Sequence, residues 1–312
     1  MEIVHIFLII FSVVLGIILF ISFNFARFLV LPIRVRPGWV IKAEERKGLI
    51  SIKWYNELVK EEICIRSEFG YKLFGELVIN DTPSDKFVVI VHGYRFNYIG
   101  SLKYGKMFLD LGYNVLWYDN CNCGKSKGKI VTMGKRESKD LAKIIEYLRS
   151  RFNNSKIGIH GESMGATLSM MYGATDSNLS FIIEDCGYSD LKQELTHQLK
   201  KLKIPVIIIL PIARLFIYLI CRLKLNEVSP ITLLKQDNAL AKIPMLFIHG
   251  AEDNFTPTSM CYDLFDAKRG EKYICICDKA NHAESFLLDR LKYINTVKAF
   301  LYNTNFKEET NE

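Results

Sequence analysis

From Ile3 to Leu31 nearly every position is apolar, broken only by His5, Ser12, Gly16, Ser22, Asn24 and Arg27. A run of that length crosses a ~30 Å hydrocarbon layer as one helix. No polar face recurs along it at helical spacing, which predicts a transmembrane helix over residues 1–31 and not a core helix. Only Glu2 and His5 stand at its start, whereas Arg27, Arg34, Arg36, Lys42, Arg46 and Lys47 lie at or behind its end. The asymmetry predicts a retained single-pass anchor with the rest of the chain facing the cytoplasm. An outward-facing domain is the rival arrangement. Residues 32–61 carry Pro32 and Pro37, mixed charge and Trp39, Trp54 and Tyr55, a composition that predicts a juxtamembrane connector with interfacial aromatics.

After the connector the rhythm shortens. β-rich runs stand at Glu62–Ser67, Lys72–Ile79, Phe87–Val91, Asn114–Tyr118, Lys156–His160, Phe181–Glu184, Pro244–His249 and Lys272–Cys277. Most of the later ones are apolar throughout, as strands covered on both faces of a parallel sheet must be. Helical patterns separate them at Leu102–Leu111, Ser138–Arg151, Met164–Tyr172, Thr258–Phe265 and Glu284–Leu301. The alternation predicts an α/β domain over 62–306 with its chemistry in the loops beyond the strand C-termini.

Composition narrows the function classes. The chain has 312 residues, of which 49% are hydrophobic and 24% charged, so a disordered or disulfide-stapled protein is excluded. Its 41 Lys+Arg against 34 Asp+Glu leave a charge of +7, too small and too scattered to make nucleic acid the expected partner. The eight cysteines are dispersed, several in apolar runs, as reduced thiols packed as small hydrophobes would be.

The strand Lys156–His160 runs straight into Gly161-Glu162-Ser163-Met164-Gly165 and a helical pattern, the context a G-x-S-x-G nucleophile elbow requires. Ser163 is the candidate nucleophile. A serine hydroxyl needs a base, and the base an acid that fixes its tautomer. Of six histidines, His92, His160 and His249 end strands before a glycine, His5 lies in the anchor and His197 in a polar helix. His282, between the last strand and the last helix, sits where the base follows in the chain order Ser, Asp, His. The acid is expected in the loop after the preceding strand as Asp253, with Glu252 beside it and Asp185 as rivals. An oxyanion needs two donors, expected as the backbone N–H groups of Met164 and of Tyr94 in Val91-His92-Gly93-Tyr94.

These motifs, with Glu184-Asp185-Cys186-Gly187-Tyr188, Ile248-His249-Gly250 and Asn281-His282-Ala283, resemble the α/β-hydrolases over residues 62–301. More narrowly, they are similar to bacterial hydrolases of the Bem46 and fermentation–respiration-switch groups. The resemblance implies an eight-stranded, mostly parallel sheet and a Ser163–Asp253–His282 triad. It leaves the substrate open among esters, thioesters, lipids and peptides. One departure is Cys121, which stands in Asp119-Asn120-Cys121-Asn122-Cys123-Gly124-Lys125-Ser126 where many relatives have an arginine. Cys121-x-Cys123 and Cys275-x-Cys277 raise a metal site, but alternate strand positions share a face of ordinary packing. Neither metal nor cofactor is expected.

Residues 191–242 form an insertion the fold does not require, predicted as a lid over Ser163. Its stretch Ile204–Cys221 is apolar apart from Arg214, and Pro205, Pro211 and a buried arginine argue against a second span. The chain therefore reads as a membrane-anchored serine hydrolase of a small-molecule acyl ester, with the bilayer as its other partner and its oligomeric state open. An acyltransferase or peptidase with the same triad, or a catalytically silent binding protein, are the alternatives. Since every candidate residue lies beyond residue 62, removing 1–31 is expected to leave small-ester hydrolysis intact.

Overall fold

The apolar runs pair into one eight-stranded sheet because each side of each run needs a cover, and the intervening helices supply it on both faces. The computed structural model describes residues 1–310, with side chains as far as Thr304. In chain order the elements are α1 (Glu2–Val30), α2 (Pro37–Arg46), α3 (Ile52–Glu57), β1 (Glu61–Arg66), β2 (Lys72–Val78), β3 (Lys86–Val91), α4 (Leu102–Asp110), β4 (Asn114–Tyr118), α5 (Lys135–Arg151), β5 (Lys156–Glu162), α6 (Met164–Gly173), β6 (Phe181–Asp185), α7 (Leu191–Lys201), α8 (Val206–Cys221), α9 (Pro230–Lys235), β7 (Met245–Gly250), α10 (Thr258–Ala267), β8 (Lys272–Cys277), α11 (Ser285–Leu288) and α12 (Arg290–Thr310).

The sheet order is β1-β2-β4-β3-β5-β6-β7-β8. β2 runs antiparallel to both neighbours, and from β4 to β8 all pairings are parallel. Period-two alternation divides the core. Val88, Ile90, Val115 and Trp117 face a layer that includes α4 and α12, whereas Val89, Leu116, Ile157 and Ile159 face α5, α6 and the insertion. The expected strands are all present, within two residues at either end.

Three expectations change. The connector holds two helices, α2 and α3, and Tyr55 is buried, its hydroxyl 2.6 Å from Glu76 and 2.9 Å from Tyr98, so it is a core residue and not an interfacial anchor. The last helical pattern splits at Asp289, whose carboxylate accepts the Lys292 N–H at 2.9 Å and caps a new helix start. The insertion is helical, as expected, but Arg214 is exposed, not buried. What argues against a second span is length, since α8 has 16 residues. At a rise of ~1.5 Å per residue it reaches roughly 24 Å, short of a ~30 Å hydrocarbon layer.

Helix α1 has two parts. Up to Ile21 every residue is exposed except half-buried Ile18; beyond it Ser22, Ala26, Leu29 and Val30 are buried. At a rise of ~1.5 Å per residue the exposed part measures about 30 Å, the thickness of a hydrocarbon layer. The buried stripe recurs at four-residue spacing, one face of a helix, and the small Ser22 and Ala26 let α8 approach. Phe23 and Phe216 of α8 meet edge to face at 5.4 Å. The Val131 N–H donates to the Val30 carbonyl at 2.9 Å. The apolar helix thus ends inside the core of the α/β domain, and residue 31 is no structural boundary.

Candidate active site

The C-terminal ends of β3, β5, β7 and β8 deliver the predicted residues to one place. Leaving β5, the chain turns at Ser163 with φ 57 and ψ −120, a left-handed conformation that a side chain adopts only under constraint. The constraint is visible on both sides. Ser163 N–H donates to the Asp185 carbonyl at 2.7 Å, and the Ser163 carbonyl accepts from Ala166 and Thr167 at 2.9 and 3.1 Å. A Cβ on Gly165 would lie 2.1 Å from the Val91 carbonyl oxygen, so only glycine lets α6 start this close to β3. The turn lifts Oγ above the sheet edge.

There the Ser163 hydroxyl lies 2.9 Å from His282 Nε2, and His282 Nδ1 lies 2.8 Å from Asp253 Oδ2. Asp253 is held by its own loop, its Oδ1 accepting the Phe255 and Thr256 N–H groups at 2.8 and 2.9 Å. Burial by itself would raise the Asp253 carboxyl. Hydrogen bonds from His249 at 3.2 Å and from His282 at 2.8 Å outweigh it and hold the group well below the usual carboxylate range. An ionised Asp253 on Nδ1 leaves Nε2 as the acceptor facing the serine, the tautomer a general base needs. Phe255 lies against the His282 ring at 4.8 Å between centroids.

The rivals are elsewhere. Glu252 is exposed. The Asp185 carboxylate is buried on the other face of the sheet, accepting from Tyr293 at 2.8 Å and Tyr104 at 3.1 Å. His92 and His160 serve the interior: His92 Nε2 accepts the Asn120 N–H at 2.9 Å, and burial drives His160 down to about 3, so it is neutral beside the Tyr293 hydroxyl. Gly93 backs directly onto the serine, since a Cβ there would stand 3.3 Å from Ser163 Cβ. Beside it, Tyr94 sends its hydroxyl to the Phe28 and Leu29 carbonyls of α1 at 2.5 and 3.1 Å. Met164 opens α6, where the first N–H groups are free of helical partners.

Cys186, Asp253 and His282 bring donor atoms within 4.8 Å of one another. Asp253 and His282 are already paired with each other, and burial pushes the Cys186 thiol well above its usual range. Cys121 and Cys123 are buried, the Cys121 thiol donating to the Ile130 carbonyl at 3.2 Å. Beside them Arg34 of the connector donates to the Ser126 carbonyl at 2.8 Å and to the Gly124 carbonyl at 3.4 Å.

Ser163, Tyr94 and Phe255 stand between two cavities. One, of about 180 Å³, is almost wholly apolar and is walled by Phe25, Phe28 and Leu29 of α1, Leu195 of α7 and the following Leu202. The other, of about 300 Å³, lies under α2 and carries Trp39, Glu44, Lys47, Lys103, Glu162 and Glu284. Lys103 and Glu162 form a buried ion pair at 3.1 Å directly before the serine. A larger furrow of about 860 Å³ opens at the far, N-terminal end of β3 and has no histidine or cysteine in its lining. The apolar chamber corrects the expected lid in one respect: α7 covers it, and α8 packs behind α1. Sequence reasoning missed the contribution of α1 altogether. The spacing of Phe25, Phe28 and Leu29 at i, i+3 and i+4, alongside the small Ser22 and Ala26, was the available signal.

A buried Glu184 packs near His249, its Oε1 accepting the Gly187 N–H. Burial raises its carboxyl to about 8. Such a group stays protonated in the folded chain while the unfolded chain releases its proton near the ordinary carboxylate value. Stability therefore falls as pH rises from about 4.5 to about 8. At His249 burial is outweighed by the bond to Asp253, so that group is raised and acts in the same direction. We expect urea midpoints to decline over that window and Glu184→Gln to flatten the decline; an unchanged slope in the variant would assign it to other groups.

A family model described as X-Pro dipeptidyl-peptidase, S15 family, matches residues 52–203, which contain Ser163 but neither Asp253 nor His282. YqkD of Bacillus subtilis strain 168 is 35% identical over 275 residues, covering 86% of this chain and 88% of that protein. Esterase Pf2001 of Pyrococcus furiosus superposes with a TM-score of 0.67 at 21% identity, over 88% of this chain and 98% of the esterase. Acylaminoacyl peptidase of Pyrococcus horikoshii gives 0.59 at 19% identity, over 80% of this chain and 43% of the peptidase.

Proposed function

We propose that the chain, which belongs to one family with YqkD and shares the fold of esterase Pf2001, is a membrane-anchored serine esterase acting on apolar acyl esters. The observation that carries the reading is the serine–histidine–aspartate relay at 2.9 and 2.8 Å with an apolar chamber at its serine. His282 Nε2 takes the hydroxyl proton as Ser163 Oγ bonds to the acyl carbon, and the carbonyl electrons move onto oxygen between the Tyr94 and Met164 N–H groups. Collapse of that intermediate breaks the ester C–O bond, and His282 returns the proton to the departing alcohol. Water, deprotonated by the same histidine, then bonds to the acyl carbon; the Ser163 Oγ–carbon bond breaks, His282 returns the proton to Oγ and the acid leaves.

Esters are favoured over peptides because the chamber beside Ser163 is almost wholly apolar, with Glu194, whose carboxyl burial raises, as its one ionisable side chain besides tyrosine. The exposed, bilayer-length part of α1 supports an anchor, and the basic residues behind it support a cytoplasmic-facing domain. The test is a panel of aryl esters, thioesters and aminoacyl amides given to the full chain in detergent. Ester turnover well above amide turnover, rising several-fold for each added pair of methylenes until the chamber is full, is expected. Amide turnover exceeding ester turnover would establish a peptidase instead.

A further inference from the structure

Resting on that reading, we propose that the last two turns of α1 are the acyl-chain wall of the site, so that the membrane helix is itself the specificity element, while the chamber under α2 receives the leaving alcohol. Phe25, Phe28 and Leu29 line the cavity that holds Ser163, and their spacing at i, i+3 and i+4 puts them on one face of the helix. Their placement is fixed from three directions. Tyr94, which lines the same cavity as Ser163, holds the Phe28 and Leu29 carbonyls with its hydroxyl. Val131 holds the Val30 carbonyl, and Phe216 of α8 presses on Phe23 from behind. At the rim, Phe28 and Leu202 remain 56% and 62% exposed on the side where α1 leaves the domain.

The two chambers differ in chemistry as the two ends of a single-chain amphiphile differ. The α1 chamber offers hydrocarbon, with Leu29 and Leu195 buried beside Phe25. The α2 chamber sets the Glu44–Lys47 pair and Glu284 beside Trp39, Phe96 and Phe255, so unlike the α1 chamber it has polar partners for the alcohol end. An ester lying across Ser163 therefore directs its acyl chain toward α1 and the adjoining bilayer, and its head away from it. The ligand class is a fatty acyl ester with one chain, drawn in sideways along the helix.

The test uses the full chain in phosphatidylcholine vesicles and an alkyl fluorophosphonate of medium length with a diazirine at the chain tip. Ser163 Oγ displaces fluoride and forms the P–O bond; light then expels dinitrogen and the tip inserts into whatever it touches. Peptide mapping is expected to place the insertion in residues 24–31 and 195–202. Insertion in residues 37–47, or in lipid alone while Ser163 is labelled, overturns the inference and leaves the esterase reading standing. No label on Ser163 overturns both. As a second measurement, Leu29→Trp should lower the ratio of long-chain to acetyl ester turnover about tenfold or more. Phe20→Trp, on the outward part of α1, should leave that ratio unchanged; equal ratios in both variants would also overturn the inference.

Discussion

Ser163→Ala is expected to lower kcat on a medium-chain ester by roughly 10⁴-fold or more, with His282→Ala close behind, because the relay acts as a unit. The double variant should lose little beyond either single one. Asp253→Asn is the informative member. The amide keeps the loop bonds that Phe255 and Thr256 donate to Oδ1 but removes the charge that selects the Nδ1–H tautomer of His282, so a loss of comparable size is expected with the fold retained. Asp185→Asn should act differently. Its carboxylate is buried with Tyr104 and Tyr293, so the substitution is expected to shift the unfolding midpoint more than kcat. The comparison decides the assignment: near-full activity in Asp253→Asn together with a large kcat loss in Asp185→Asn would make Asp185 the acid.

The parts of the molecule that were legible beforehand are those where local rules and global fold agree. Apolar runs such as Phe87–Val91 and Asn114–Tyr118 can only be strands covered on both faces, and the G-x-S-x-G turn is written by glycines that the backbone contacts of Gly165 require. His282 and Asp253 were legible by their position after strands. What stayed hidden depended on partners distant in sequence. Phe25, Phe28 and Leu29 sit in a run so uniformly apolar that membrane-facing and core-facing positions look alike. Arg34 serves a loop some 90 positions later, a contact that composition does not encode. Tyr55 looked like an interfacial aromatic because its acceptor, Glu76, lies two strands into the sheet. Burial of the α7 face, and not of the more apolar α8, against the serine likewise follows from docking of α1, since α8 spends its apolar face on that helix.

That docking changes what a truncation should do. With every candidate residue beyond 62, loss of residues 1–31 looked harmless to the domain; in the folded chain Ala26 and Val30 are fully buried and Leu29 nearly so. Removing residues 1–31 takes these side chains from the core, uncovers the α8 face beneath them and deprives the Tyr94 hydroxyl of both acceptors. Burial of two large aliphatic side chains alone is worth roughly 3–6 kcal/mol, a large share of the ~5–15 kcal/mol by which domains are stable. Removing residues 1–20 discards the exposed, bilayer-length part and, of the core contacts, only half-buried Ile18. We therefore expect the shorter truncation to keep the urea midpoint and the chain-length profile of the full chain, and the longer one to lose several kcal/mol of stability and its preference for long acyl chains. Acetyl ester turnover should fall in the longer truncation as well, since Tyr94 then no longer has its tether beside the nucleophile. Denaturation followed by circular dichroism, with parallel ester profiles, checks each point. Equal midpoints and equal profiles for the two truncations would mean that α1 only tethers the domain, because a helix that walls the site cannot be removed without a trace.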